Sequence, residues 1–167
     1  MLITLVEQVL NLCLSHHDQL RSNAVQILYS MIVSEYHQSG SVERIEMELI
    51  SKLDKLFMSE TRGDDISRAF FVSQLRHLFD SSSLDEQLKA HVQEFLDSVD
   101  LFLELLLSVR ELPEGEEYQD DRVIATLRLM NFIRRIGRDE MYIKYVHQLV
   151  NVCVSSVPSM TSGSQFL

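Results

Sequence analysis

Six carboxylates crowd one short stretch of this chain: Glu111, Glu114, Glu116, Glu117, Asp120 and Asp121, in the segment ELPEGEEYQDD. Paired acids are the raw material of general acid–base chemistry. That chemistry needs two carboxyls in contrasting surroundings, one of them desolvated. A run this dense, with no base inside it, gives every member the same wet environment. It reads as a solvated connection, or as a surface that docks a basic partner, since charge steers encounter. Tyr118 within the run is a hydroxyl in acidic context, open in principle to phosphate.

Other reactive residue types are present without the spacing that would make them a site. The six histidines (His16, His17, His37, His77, His91 and His147) form no HExxH or i,i+4 pair, so no metal ligand set is expected. Cys13 and Cys153 stand far apart with no CxxC spacing, and both read as buried thiols of a reducing compartment. No GxSxG nucleophile turn and no glycine-rich phosphate loop occurs. Catalytic, metal-binding and cofactor-binding residues are therefore expected to be none. Arg62-Gly63-Asp64 reads as a turn, with Asp64 or Asp65 capping the next helix, rather than as an adhesive tripeptide. Arg134, Arg135 and Arg138 sit where a helix ends, compensating its dipole. With a net charge of −10, attraction to nucleic acid is disfavoured.

The elements that would position these residues are helices. In 167 residues, 46% are hydrophobic and 24% charged, an ordinary globular balance. Apolar residues recur at helical spacing rather than in alternation, and only two prolines are present. Seven helices account for the pattern. The first spans about Leu2–Ser15. The second, about Gln19–His37, is expected to turn Leu20, Ala24, Ile27, Leu28, Met31 and Ile32 inward. The third follows Ser41, a capping residue, and carries Val42, Ile45, Leu49, Leu53 and Leu56. A fourth carries Ile66, Phe70, Leu75, Leu78 and Phe79. Ser83 with Glu86 makes a capping box opening a long fifth helix, Leu84–Arg110. The acidic segment leads to a closing hairpin. In it, Val123, Ile124, Leu127, Met130, Ile133 and Ile136 share one face, and Gly137 ends that helix. Asp139 can cap the last helix, which buries Met141, Tyr145, Val146, Leu149 and Val150. Helix starts at Leu2, Val42 and Leu84 are about forty residues apart, the period of stacked armadillo or HEAT pairs. The fold class is all-α, antiparallel helix pairs stacked as an armadillo/HEAT-like array running into a helical lobe.

Within the fifth helix, Val99–Val109 is apolar on nearly every side: Leu101, Phe102, Leu103, Leu105, Leu106 and Leu107. The run is shorter than the roughly 20 residues of a membrane span. A helix apolar all round must be covered by its own domain or by a partner, which makes this the best candidate contact element. The wording of the hairpin, LRLMNFIRRIGRDEMYIKYVHQLV, resembles the DOCK (dedicator of cytokinesis) family, at the start of its catalytic DOCKER region. The close resemblance runs over roughly Val99–Val150, and a weaker one passes through SVERIEMELISKLDKLFMSETRGDD. It implies an armadillo/HEAT-like segment over 1–98, the start of the DOCKER region (lobe A-like) over 99–154, and a flexible tail over 155–167.

DOCK proteins are guanine-nucleotide exchange factors for Rho-family GTPases such as Rac and Cdc42. Their exchange lobes follow the part this chain resembles, and both ends of the chain look cut. The resemblance therefore implies a non-catalytic, cytoplasmic fragment in small GTPase signalling, with no cofactor. It would act as scaffold and self-association segment, its partners DOCK subunits in a homodimer-like contact and, in the parent protein, a Rho-family GTPase. Leu101, Phe102, Leu105, Leu106, Glu114, Glu116 and Glu117 are the candidate partner-binding residues. The alternative is an independent armadillo/HEAT-like adaptor that binds a peptide or protein helix. Cut at both ends, the chain is expected to expose apolar helix faces and to self-associate.

Overall fold

The computed structural model describes residues 2–58 and 65–154. Seven α-helices and one 3-10 turn fill them, with no strand among the described residues. The helices are α1 (Leu2–Cys13), α2 (Asp18–Ser39), α3 (Glu43–Met58), α4 (Asp65–Asp80), α5 (Glu86–Arg110), α6 (Gln119–Arg135) and α7 (Asp139–Val154); the 3-10 turn is Glu116–Tyr118. The Arg62-Gly63-Asp64 turn lies outside the described residues, as does the tail over 155–167.

The chain divides into two compact units, Met1–Glu104 and Leu105–Leu167, and the division falls inside α5. In the first unit α1 packs on both α2 and α3, while α2 packs on α4. First helices of successive pairs therefore meet, and so do second helices, which is how a stack of helix pairs buries its faces. Val6, Val9, Leu10 and Cys13 of α1 are buried, as are Ile45, Leu49, Ile50 and Leu53 of α3. Each such side chain contributes about 1.5–3 kcal/mol when fully withdrawn from water. Lys52 ties α3 back to Glu7 of α1 at 3.4 Å.

Local chemistry sets the helix ends. Gly40 adopts φ 72° and donates its N–H to Tyr36 O at 2.7 Å, closing α2 in the left-handed conformation that glycine reaches without strain. The Ser41 hydroxyl then accepts the Glu43 N–H at 3.1 Å, as a residue opening α3 should. Ser83 does not open α5. That helix begins at Glu86, and the carbonyl of Asp85 takes the first intrahelical bond, from Lys89 N at 3.0 Å.

The buried face of α2 is rotated from the expected one. Ala24, Leu28 and Ile32 are buried, but Leu20 and Ile27 are exposed, and Arg21, Val25 and Glu35 take the inner positions. Apolar residues occur on both sides of this helix, so periodicity alone does not choose the face; the neighbours α1 and α4 do. Burying Arg21 requires partners. Its guanidinium donates to Asp18 at 2.5 Å and to Ser15 O at 3.3 Å, and lies 5.4 Å from the ring centroid of Phe70. Phe70, read from sequence as inward-facing, is thereby half exposed, while its neighbours Phe71 and Val72 are buried.

The second unit is built on the α6–α7 hairpin, which packs face to face. Gly137, at φ 72°, closes α6 with a paired motif: Arg138 N donates to Ile133 O at 3.2 Å and Gly137 N to Arg134 O at 3.1 Å. Asp139 lies in the first turn of α7, where its charge suits the dipole, rather than outside it as a cap. Here too the inner face differs from the expected one. Ala125, Thr126, Leu129, Met130, Phe132 and Ile133 are buried, and Ile124 and Leu127 face solvent. On α7, Met141 and Tyr145 are buried, Val146 and Leu149 are half-buried, and Val150 is exposed.

Candidate functional site

The C-terminal third of α5 is less uniformly covered than its sequence implies. Phe102 and Leu106 are buried, Leu105 is half-buried, and Leu101 is 37% exposed. Buried Phe102, Leu103 and Leu106 satisfy the inner face, so the apolar surplus sits on Leu101, with Leu105 and Leu107 partly open. An apolar side chain left in water on such a helix is available to another surface at little desolvation cost.

The acidic connection is shaped rather than loose. Glu116–Tyr118 forms the 3-10 turn, and the Arg122 guanidinium donates to the carbonyls of Pro113 and, at 3.2 Å, of Gly115. Arg122 is itself fixed in the first turns of α6, where its carbonyl accepts the Thr126 hydroxyl at 2.7 Å. Glu111, Glu114, Glu116, Glu117, Asp120 and Asp121 are all exposed, so none has the desolvated setting of a general acid. Beside them lies a recess of about 480 Å³, lined by Val109, Arg110, Leu112, Glu114, Glu116, Arg122 and Val152. Leu105, Glu114, Glu116 and Glu117 thus belong to one compact unit, whereas Leu101 and Phe102 belong to the other. Sequence reasoning did not single out Arg122. Its signal was a lone base directly after Asp120 and Asp121, able to reach back to loop carbonyls.

Elsewhere the reactive groups are structural. Cys13 is buried, and burial pushes its thiol up to about 12. Cys153, expected to be buried, is exposed near the end of α7, where the inner face has passed to other positions. Among the described residues no cluster of three His, Cys, Asp or Glu could hold a metal ion, and no helix is long and apolar enough to cross a membrane.

Among the described residues these features define an all-α, helical-repeat-like array. Residues 1–75 match the family model of the dedicator of cytokinesis (DOCK) TPR region. Human dedicator of cytokinesis protein 3 is 33% identical over 150 residues, covering 86% of this chain and 7% of the relative. Human dedicator of cytokinesis protein 4 is 30% identical over 149 residues, covering 89% of this chain and 7% of the relative. The chain belongs to the DOCK family, and it spans less than a tenth of the length of these relatives. No solved structure matches it.

Proposed function

We propose that this chain acts as a non-catalytic helical segment of a DOCK-type exchange factor, a cytoplasmic scaffold in Rho-family (Rac/Cdc42) GTPase signalling. Residues 1–98 serve as the helical-repeat segment and 99–154 as the start of the DOCKER region. The segment supports self-association through α5, with exposed Leu101 and half-buried Leu105 as its apolar contact, while buried Phe102 and Leu106 hold the inner face of that helix. Glu114, Glu116 and Glu117 form an acidic flank that steers a basic surface. The observation that carries this reading is the similarity to DOCK relatives over most of the chain, combined with Leu101 left 37% exposed in the apolar C-terminal stretch of α5.

Two measurements on the purified chain test it. Release of fluorescent nucleotide from Rac and Cdc42 is expected to be unchanged by substoichiometric protein; acceleration would overturn the non-catalytic role. Sedimentation velocity is expected to show association that Leu101→Lys weakens, and association indifferent to that change would remove α5 from the contact.

A further inference from the structure

The five tyrosines of the chain sit in unlike settings. Tyr29 and Tyr36 lie within α2, and Tyr142 and Tyr145 within α7, each buried or half-buried. Tyr29 packs on Phe79 with ring centroids 4.7 Å apart, and Tyr36 on His91 at 5.6 Å. Tyr118 alone is exposed, and it alone lies outside the α-helices, closing the 3-10 turn just before α6. One edge of its ring passes 3.6 Å from the point where Gly115 would carry a Cβ. Its hydroxyl makes no hydrogen bond among the described residues.

Charge around Tyr118 is ordered. Glu117, Glu116 and Glu114 stand one, two and four residues before it, and Asp120 and Asp121 two and three after, with no base nearer than Arg122. Yet Arg122 pairs with none of these carboxylates among the described residues. Its guanidinium reaches instead to the carbonyls of Pro113 and, at 3.2 Å, of Gly115. One helical turn beyond Tyr118, a cation is thus held only by neutral oxygens.

We infer that Tyr118 is a phosphorylation site for a tyrosine kinase with a basic substrate cleft, and that Arg122 receives the phosphate. In the transfer the phenolic oxygen attacks the γ-phosphorus of a nucleoside triphosphate. The bond from that phosphorus to the β-bridging oxygen breaks, the nucleoside diphosphate leaves, and the phenolic proton passes to the kinase's base. Charge selects this residue, because a basic cleft complements acids on both of its sides. Access selects it as well. The hydroxyl must come into line with the γ-phosphate inside a cleft, which a ring packed in the interior of α2 or α7 cannot do. Tyr118 is preceded by a loop, and the first N–H groups of α6 after it have no intrahelical partner to lose.

The phosphate brings a charge of about −1.5 to −2 at pH 7 and three acceptor oxygens to the start of α6. The helix dipole favours it there. A charge-assisted hydrogen bond is roughly twice as strong as a neutral one, so Arg122 leaves Pro113 and Gly115 for the phosphate. The 3-10 turn then loses its clasp, and the stretch carrying Glu114, Glu116 and Glu117 is released. Modification of Tyr118 would thus regulate the acidic flank, and it stands without the α5 contact proposed above.

The test treats the full chain with an acid-directed tyrosine kinase domain and magnesium–nucleoside triphosphate, mapping the product by fragment mass spectrometry. Circular dichroism checks that each variant is folded. One phosphoryl group per chain is expected, on Tyr118, at an initial rate about tenfold or more above that of any other tyrosine. Combining Glu114→Gln, Glu116→Gln and Glu117→Gln is expected to slow it about tenfold. Label on Tyr29, Tyr36, Tyr142 or Tyr145 at a comparable rate, absence of label on Tyr118, or indifference to the three glutamines would overturn the site. Phosphorus NMR then tests Arg122. The phosphotyrosine is expected to titrate at lower pH in the parent than in Arg122→Gln, because the guanidinium favours the doubly charged phosphate. Amide hydrogen exchange over 113–118 is expected to quicken on phosphorylation of the parent. Equal titration midpoints, or unchanged exchange, would show that Arg122 stays on its carbonyls.

Discussion

Arg76 of α4 grips Asp100 of α5 at 2.7 Å, and its other terminal nitrogen holds Asp97, one turn earlier, at 3.0 Å. The guanidinium is three-quarters covered and spans two carboxylates spaced i,i+3, so a single side chain fixes how α4 lies along α5. Both aspartates are more than half exposed, which limits the strength of the pairing. Arg76→Ala is expected to cost about 1 kcal/mol. Thermal unfolding in increasing salt checks it, because the gap between parent and variant should narrow as ions screen the pair.

Glu46 of α3 is a liability at neutral pH. Burial, then Glu94 and Glu43, hold its carboxyl above the ordinary value of 4.5. A carboxyl raised in the fold binds its proton more tightly there than in the unfolded chain, so the folded state is penalised above the raised value and relieved as pH falls through it. Glu46→Gln should therefore be more stable than the parent at pH 7. Its advantage should fade as pH drops from the raised value toward 4.5. Denaturant midpoints across that range test this, and an advantage independent of pH would show that the charge on Glu46 is not the cause.

The two thiols should differ sharply. With Cys13 at about 12, on the order of one molecule in ten thousand carries its thiolate at pH 8. Aromatic disulfide reagent should titrate one thiol in the native protein and two in guanidinium. In Cys153→Ser the fast native reaction should vanish.

Gly137→Ala probes the hairpin turn. A Cβ there would meet nothing within 4 Å, so the cost is that of the left-handed backbone alone, about 1 kcal/mol. Gly137→Asn should lose less, since asparagine tolerates that conformation. Urea midpoints of the two variants should rank in that order.

Helices were legible because Gly40 and Gly137 end apolar periodicities that nothing else interrupts, and because the forty-residue spacing of their starts recurs. Which face each helix buries was legible only where one side is apolar, as in α3. In α2 and α6 both sides carry large aliphatics. The choice between Ile27 and Val25, or between Leu127 and Leu129, was made by neighbours that periodicity does not name. The same limit applied to Cys153, where the inward positions had drifted around α7. For the acidic segment, its exposure was readable from charge density alone. Its shape was not, because that depends on one long-range reach from Arg122 to Pro113 and Gly115.

From Ser22 to Ser34, α2 carries no charged residue, and the run also lacks proline and glycine. In the helix this is harmless: Val25, Leu28 and Ile32 are hidden and the backbone bonds to itself. Extended, the segment NAVQILYSMIV is rich in β-branched and aromatic side chains, with no charge inside to keep identical strands apart. The nearest guards are Arg21 and Glu35 at its borders, and both are buried by the fold. Helix α2 thus keeps a stretch with the composition of a fibril-forming segment folded away. Conditions that loosen it, rather than those that melt the whole chain, should be the ones that seed thioflavin-positive aggregates.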